Sequence, residues 1–153
     1  MKNLRNVTVS ISILYIIISL MFVFLSAVPS YAADECSKSY PAPVLQNYSI
    51  DSSGRVKIPV ANRTSYDNAL FRNVPELPSC SGASGAYSTR TYVDIYDGTT
   101  DQYIYGFCAF QSPSSLADIW FPSKDAIFGK VYIKLKDRLC NKEYKSNILN
   151  WHK

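Results

Sequence analysis

Residues 90–110 concentrate the side chains of this sequence that could carry chemistry. Asp94, Asp97 and Asp101 lie close together there, and paired carboxylates act as general acid and base in glycoside hydrolysis. On one strand, however, Asp94 and Asp97 would point to opposite faces, because side chains alternate along a strand. Asp97-Gly98 is also an ordinary hairpin-turn pair. The pattern therefore predicts structural roles for these acids and no catalytic residue among them.

Calcium binding is the second chemistry that the three aspartates suggest. An EF-hand loop places acidic ligands at alternate positions and ends on a glutamate, and the stretch from Asp94 to Asp101 has neither feature. A surface calcium site would need ligands from other loops, so it is the weaker interpretation. We predict no metal site and no cofactor.

Nucleophilic catalysis is disfavoured by the position of the single histidine. A serine or cysteine nucleophile needs a histidine held beside it, whereas His152 is the penultimate residue and chain ends usually fray. The cysteines include no Cys-x-x-Cys pair, which argues against a zinc site. Their even number in an exported chain predicts two disulfides instead. The four are Cys36, Cys80, Cys108 and Cys140.

Residues 1–32 are predicted to be a signal peptide. Lys2 and Arg5 precede an uncharged apolar run, residues 11–28. Small residues at Ser30 and Ala32 then fit the −3 and −1 positions of a cleavage site after Ala32. The alternative is a retained anchor, since the run approaches the ~20 residues that cross a bilayer, but no basic stop-transfer cluster follows it. We expect a secreted or periplasmic protein with no membrane contact after cleavage.

The mature chain, residues 33–153, is long enough for one domain with a real core. It has 153 − 32 = 121 residues. Removing Lys2 and Arg5 lowers the net charge from +4 to 4 − 2 = +2. So small a charge gives no electrostatic footprint for nucleic acid, and we expect no nucleic acid as a partner.

Alternating apolar residues and frequent turn residues predict an all-β domain. An opening edge strand is expected at 41–45, because its prolines cannot donate to a ladder. A long irregular section, 62–88, is expected to hold only a short strand near 69–71. Seven main strands are predicted, at 41–45, 55–60, 90–96, 103–110, 116–121, 130–136 and 144–151.

Several segments of this β pattern resemble a known family. They are RTYVDIYD (90–97), YGFCAF (105–110), LADIWF (116–121) and VYIKLKDR (131–138). With the Pro-Ala-Pro opening at 41–43 and the YKSNIL segment at 144–149, they resemble an uncharacterised family of exported bacterial proteins. The resemblance implies a seven-stranded fibronectin type III-like or immunoglobulin-like sandwich. It implies no activity, because sandwiches host many functions.

The resemblance also implies how the cysteines pair. In such a sandwich the chain start, the loop after the second strand and the loop before the last strand share one pole. Cys80 would then bond Cys108, and Cys36 would bond Cys140. The alternative, Cys36 with Cys80 and Cys108 with Cys140, stays open because spacing alone does not decide.

A sandwich would also pair strand 90–96 with strand 130–136, so that their outward side chains form one surface. Tyrosines combine rigid contact area with a hydroxyl, a combination enriched at interfaces, and cations attract acidic partners. The alternative is a solvated sheet face held by cross-strand pairs. The predicted binding face consists of Arg90, Tyr92, Asp94, Tyr96, Tyr132, Lys134 and Lys136.

We expect this face to make the protein a non-enzymatic module that binds a protein or a glycan. One alternative is a secreted inhibitor that inserts a loop, 75–85 or 138–143, into a foreign enzyme. The competing class is a hydrolase that uses Asp94, Asp118 or Asp137.

Overall fold

The computed structural model describes residues 35–80, 88–109, 112–125 and 129–151. The chain divides into two units, Met1–Lys38 and Ser39–Lys153. In the first unit, Glu35, Cys36 and Ser37 are helical. The predicted signal peptide, residues 1–32, lies outside the described residues, as does His152. Across the described ranges, no helix is both long and apolar enough to cross a membrane.

The smaller of two antiparallel sheets in the second unit consists of short strands. Its order is β1-β2-β5, with β1 at Ser49–Ile50, β2 at Arg55–Lys57 and β5 at Trp120–Pro122. The turn from β1 to β2 is closed by Asp51, whose Oδ1 accepts hydrogen bonds from the Ser53 and Arg55 amides. Gly54 supplies the positive φ of 75° that this turn requires.

The larger sheet carries the long strands. Its order is β4-β3-β6-β7, and β8 pairs with the start of β6. The five strands are β3 at Thr91–Asp97, β4 at Tyr103–Ala109, β6 at Lys130–Asp137, β7 at Lys142–Lys145 and β8 at Leu149–Asn150. Between strands, short 3₁₀ helices occur at Arg63–Ser65, Asn68–Phe71, Pro113–Ala117 and Ser123–Asp125. The all-β prediction is confirmed, with eight strands in the described residues.

The core lies on the inner side of β3 and β6, where the predicted alternation is confirmed. Val93, Ile95, Val131, Ile133 and Leu135 are all fully buried. The smaller sheet and the loops add Val56, Ile58, Leu70, Phe71, Leu116, Ile119 and Phe121. Burial of such side chains contributes roughly 1.5–3 kcal/mol each. This continuous cluster therefore packs the larger sheet against the smaller sheet and the loops.

The opening strand predicted at 41–45 is reduced to a single bridge between Leu45 and Val60. Its prolines cannot donate to a ladder, and besides the backbone bond from the Ala61 amide to the Val44 carbonyl at 2.8 Å, side chains hold the segment. Asn62 Oδ1 accepts the Val44 amide at 2.9 Å, and Asn147 Oδ1 accepts the Leu45 amide at 2.8 Å. Asn147 Nδ2 also donates to the Leu45 carbonyl at 2.8 Å. Two asparagine side chains therefore make backbone hydrogen bonds that a neighbouring strand would otherwise make to this segment.

Two other predicted strands begin as 3₁₀ turns. Residues 69–71 belong to the helix Asn68–Phe71, which buries Leu70 and Phe71. The strand expected at 116–121 starts with the helix Pro113–Ala117, whose first position is the proline. Proline presets the helical φ there and needs no hydrogen-bond acceptor. Only Trp120–Pro122 is left as β5.

The last predicted strand, 144–151, is divided into β7 and β8 at Ser146. The Ser146 amide donates to the Ile133 carbonyl at 2.9 Å, and its hydroxyl accepts the Ile133 amide at 2.9 Å. One serine thus satisfies both backbone groups of Ile133, which frees the next residue, Asn147, to reach Leu45. The chain then rejoins β6 as β8.

Candidate functional site

The pairing of β3 with β6 brings most of the predicted binding residues onto one side of the larger sheet. Tyr132 and Asp94 are only 3% and 5% exposed there, so the prediction that they are outward contact residues is wrong. The pairing itself was predicted and is confirmed. It sets three cross-strand pairs in successive rows: Tyr92 with Lys136, Asp94 with Lys134, and Tyr96 with Tyr132. The return strand adds Tyr103, which lies opposite Tyr96. We call these seven residues the Tyr/Lys face.

Three tyrosine rings form a packed cluster at one end of the Tyr/Lys face. Tyr96 stacks on Tyr132 with ring centroids 5.2 Å apart and planes within 8°. Tyr103 meets Tyr96 edge-on at 6.0 Å and is 56% exposed. On the other side of Tyr132, Lys145 Nζ lies 4.0 Å from the ring centroid. Cation–π and stacking contacts of this kind fix the rings in place.

Gly106 gives the tyrosines room to lean across β4. It lies opposite Asp94, and a Cβ atom at this position would come within 2.8 Å of the Tyr103 hydroxyl and 2.9 Å of the Tyr92 ring. The two tyrosines therefore meet over a glycine. A side chain at residue 106 would have to displace them.

The charges of the face are paired into a chain of ions. Lys136 Nζ lies 2.5 Å from Asp94 Oδ2 and 3.6 Å from Glu143 Oε1, while Lys134 Nζ lies 3.2 Å from the other oxygen of Glu143. Asp94 is the only one of the four that is buried; its carboxylate also accepts a hydrogen bond from the Tyr96 hydroxyl at 3.3 Å. The acid predicted on this face thus anchors a lysine and a tyrosine.

These contacts shift the pKa of several groups. The hydrogen bond to Asp94 raises the pKa of Lys136, and the hydrogen bond from Lys134 lowers the pKa of Glu143. Burial, followed by a hydrogen bond to Asp101, raises the pKa of Tyr132 to about 12. Although the Tyr103 side chain is 56% exposed, desolvation of its hydroxyl and the phenol of Tyr92 raise the pKa of Tyr103 to about 12. Lys136 therefore stays charged, and Tyr103 and Tyr132 stay neutral, at physiological pH.

Arg90 does not lie on this surface, and the prediction that it points outward is wrong. It is 1% exposed, and its Nε and Nη2 atoms donate to the two carboxylate oxygens of Asp137 at 2.8 and 2.6 Å. Asp137 Oδ1 also accepts the Leu139 and Cys140 amides at 3.2 Å. A buried carboxylate is stable only when it is fully hydrogen-bonded, and Arg90 supplies what Asp137 requires.

A disulfide closes the other end of the face. Cys108 lies opposite Tyr92 on β4 and is bonded to Cys80, with Cα atoms 6.0 Å apart. This bond excludes the alternative in which Cys36 bonds Cys80. Cys36 and Cys140 are also oxidised, and their mutual pairing stays a prediction. No cysteine of the described residues is free.

An open pocket of about 310 Å³ lies beside this disulfide. Arg138 forms one wall: Nη1 donates to the Thr89 carbonyl at 3.0 Å and to Cys80 Sγ at 3.1 Å, and Nη2 donates to the Pro78 carbonyl at 2.5 Å. The described residues that line the pocket are Ser79, Cys80, Tyr92, Lys136 and Arg138.

The remaining acids considered for chemistry occupy separate places. Asp97 is buried, and its Oδ1 accepts the Thr99 and Thr100 amides, so it closes the β3–β4 turn. Asp118 is exposed after a 3₁₀ helix, and Asp137 is bonded to Arg90. Within the described ranges, no group of three acidic, histidine or cysteine side chains is placed to hold a metal ion.

Sequence reasoning missed Tyr103, Gly106, Lys145 and Arg138. The register of β3 with β4 shifts between Ile95 and Tyr96, so simple alternation along the return strand places Tyr103 on the wrong face. The sequence pattern places Arg138 only in a loop, because its three neutral acceptors belong to residues far away in sequence. Trp120 is half-buried between Arg55 at 4.5 Å and Tyr105 at 5.1 Å.

Neither the family models nor the curated proteins searched with this sequence give a match.

Proposed function

We propose that this protein is an exported, non-enzymatic module that binds a protein or a glycan through the Tyr/Lys face. The observation that carries the proposal is the rigid packing of the face: Tyr96 is fixed between Tyr132 and Tyr103. Rigid aromatic side chains lose little conformational entropy on binding and are frequent at interface hot spots. The lysines beside them add charge that orients an acidic partner.

The proposed architecture is a fibronectin type III-like or immunoglobulin-like sandwich preceded by a signal peptide at residues 1–32. Its support is an all-β unit of two sheets in which the Ser146-Asn147 pair ends β7. Two disulfides agree with export, because disulfides form and persist in oxidising compartments. We propose a secreted or periplasmic location on this basis.

The non-enzymatic part of the proposal rests on how the acids are used. Asp94 forms an ion pair with Lys136, and Asp137 forms an ion pair with Arg90. A general acid or base must be able to exchange a proton with substrate within hydrogen-bond reach. Carboxylates that are buried against a lysine or an arginine are poorly placed for that role.

The test is binding of the oxidised protein to a glycan array and to a displayed peptide library. The variant Tyr92→Ala/Tyr103→Ala removes two rings from the face without touching the stacked Tyr132. We expect any ligand selected by the native protein to bind this variant at least about tenfold more weakly, since truncating a hot-spot tyrosine costs more than 1 kcal/mol.

The matched control is Tyr48→Ala, which removes a tyrosine that is 36% exposed beside β1 in the smaller sheet. The control should bind like the native protein. Unchanged binding by a folded Tyr92→Ala/Tyr103→Ala variant would place the site elsewhere. Absence of any ligand in both panels would contradict the binding function itself.

A further inference from the structure

We infer that the pocket beside the Cys80–Cys108 disulfide binds the carboxylate of an acidic sugar. This inference rests on the proposed function and assigns a ligand class to one end of the same surface. Tyr92 and Lys136 belong both to the Tyr/Lys face and to the pocket wall. A glycan that lies along the face would therefore reach the pocket with one of its units.

The positive charge of the pocket comes from Arg138. Its three hydrogen bonds go to two backbone carbonyls and a disulfide sulfur, so its neutral acceptors leave the guanidinium charge uncompensated. Lys136, by contrast, is paired with Asp94 at 2.5 Å. Of the described residues that line the pocket, none is acidic. An anion entering the pocket meets a net positive wall.

The donors that Arg138 has not used point to a carboxylate. A guanidinium has five N–H groups, and the three bonds use both groups on Nη1 and one on Nη2. The two left over are on Nε and Nη2. Arg90 uses this same pair of nitrogens to hold Asp137 by two bonds. Arg138 thus keeps unused N–H groups on the two nitrogens through which an arginine can hold a carboxylate by two bonds.

The other walls favour a sugar ring over a flexible acidic side chain. Ser79 is exposed and presents a hydroxyl, and Tyr92 presents a half-buried ring and a hydroxyl. A uronic acid carries hydroxyls for these two groups and an apolar C–H face for the Tyr92 ring. A volume of about 310 Å³ is near the lower end of small-molecule pockets, which suits one ring rather than a long segment.

The experiment measures the affinity of the oxidised full-length protein for a tetragalacturonate, for its methyl ester and for a tetraglutamate peptide. We expect the tetragalacturonate to bind, and the neutral ester to bind at least about tenfold more weakly because the bidentate contact is lost. Affinity for the tetragalacturonate should also fall as salt rises, as charge-assisted binding does. Equal binding of the ester, or tighter binding of the peptide, would overturn the inference.

Variants locate the binding in the pocket. Arg138→Lys keeps the charge but loses the fork, and it should weaken binding at least about tenfold. Because Arg138 also holds residues 78–80, a second variant avoids its bonds: Ser79→Glu adds a negative charge at an exposed position, and its matched control is Ser79→Gln. We expect Ser79→Glu to bind at least about tenfold more weakly than Ser79→Gln, because the two side chains have nearly the same size and differ in charge. Native affinity in Arg138→Lys or in Ser79→Glu would overturn the inference.

The two proposals can fail separately. If ligands selected on the panels depend on Tyr92 and Tyr103 but not on Arg138 or Ser79, the face binds and the pocket assignment is wrong. If no panel ligand is found and the tetragalacturonate also fails to bind, both proposals are wrong.

Discussion

At the scale of single residues, the interior of the larger sheet depends on one buried ion pair. Arg90 and Asp137 are 1% and 2% exposed, and they are 47 residues apart in sequence. The pair lies where β3 begins and β6 ends, and Asp137 also holds the amides of the following turn. Such a pair contributes little over an apolar replacement, but breaking it leaves a buried charge without compensation.

We predict that Arg90→Met lowers the free energy of unfolding by about 3–5 kcal/mol, because Asp137 is then buried without its cation. The measurement is urea denaturation of the oxidised protein. The control, Lys134→Met, breaks the half-exposed pair with Glu143 and should cost at most about 1 kcal/mol. A cost below about 1 kcal/mol for Arg90→Met would show that Asp137 does not depend on the arginine.

The same arginine shows why part of the candidate site could not be predicted from sequence. Alternation along 90–96 correctly separates inward Val93 and Ile95 from Tyr92 and Tyr96, because a strand has a period of two. The rule fails at Arg90, which precedes β3 and turns inward to meet a carboxylate supplied by β6. Burial of a charge is decided by its partner, and that partner is distant in sequence.

At the scale of elements, the strands that were predicted well are those with long alternating patterns. β3 and β6 have seven and eight residues, so their apolar faces are unambiguous. The short strands depend on contacts that no local pattern contains: the segment before residue 46 is held by Asn62 and Asn147. Sequence therefore predicts the sheet that bears the face, but not the side-chain bonds that fasten the edge segments.

We predict that Asn147→Ala releases only the Leu45 end of that segment. The Leu45 amide loses its acceptor, so its hydrogen exchange should become about fivefold to tenfold faster, as expected for one lost hydrogen bond. The Val44 amide, which Asn62 holds, should be unaffected. In the matched variant Asn62→Ala, the Val44 amide should exchange faster and the Leu45 amide should be unaffected. Equal acceleration of both amides in both variants would mean that the segment opens as one piece.

At the scale of the whole molecule, tyrosines connect the core of the second unit with its surface. Tyr66 is 4% exposed, donates its hydroxyl to the Pro41 carbonyl at 3.0 Å and contacts Tyr40 and Phe71. Burial raises the pKa of Tyr66 to about 12. On the face, the pKa values of Tyr103 and Tyr132 are raised to about 12 as well. Tyrosine ionisation is therefore coupled to unfolding in both places.

We predict that stability falls as the pH rises from about 10 to about 12, the ordinary and the raised tyrosine pKa values. A tyrosine whose pKa is raised in the folded state contributes its full stabilisation at pH values below its unfolded-state pKa. This stabilisation is lost as the pH rises through its folded-state pKa. For Tyr66 alone the loss is about 2–3 kcal/mol. Lys136, whose pKa is raised by Asp94, acts in the same direction. Urea denaturation at pH 8, 10 and 11 measures the change in stability, and phenolate absorbance over the same pH range measures the titration of the tyrosines. Tyr66→Phe should reduce the pH dependence, since phenylalanine does not ionise. A native protein whose tyrosines all titrate near the ordinary value, with constant stability to pH 11, would contradict the prediction.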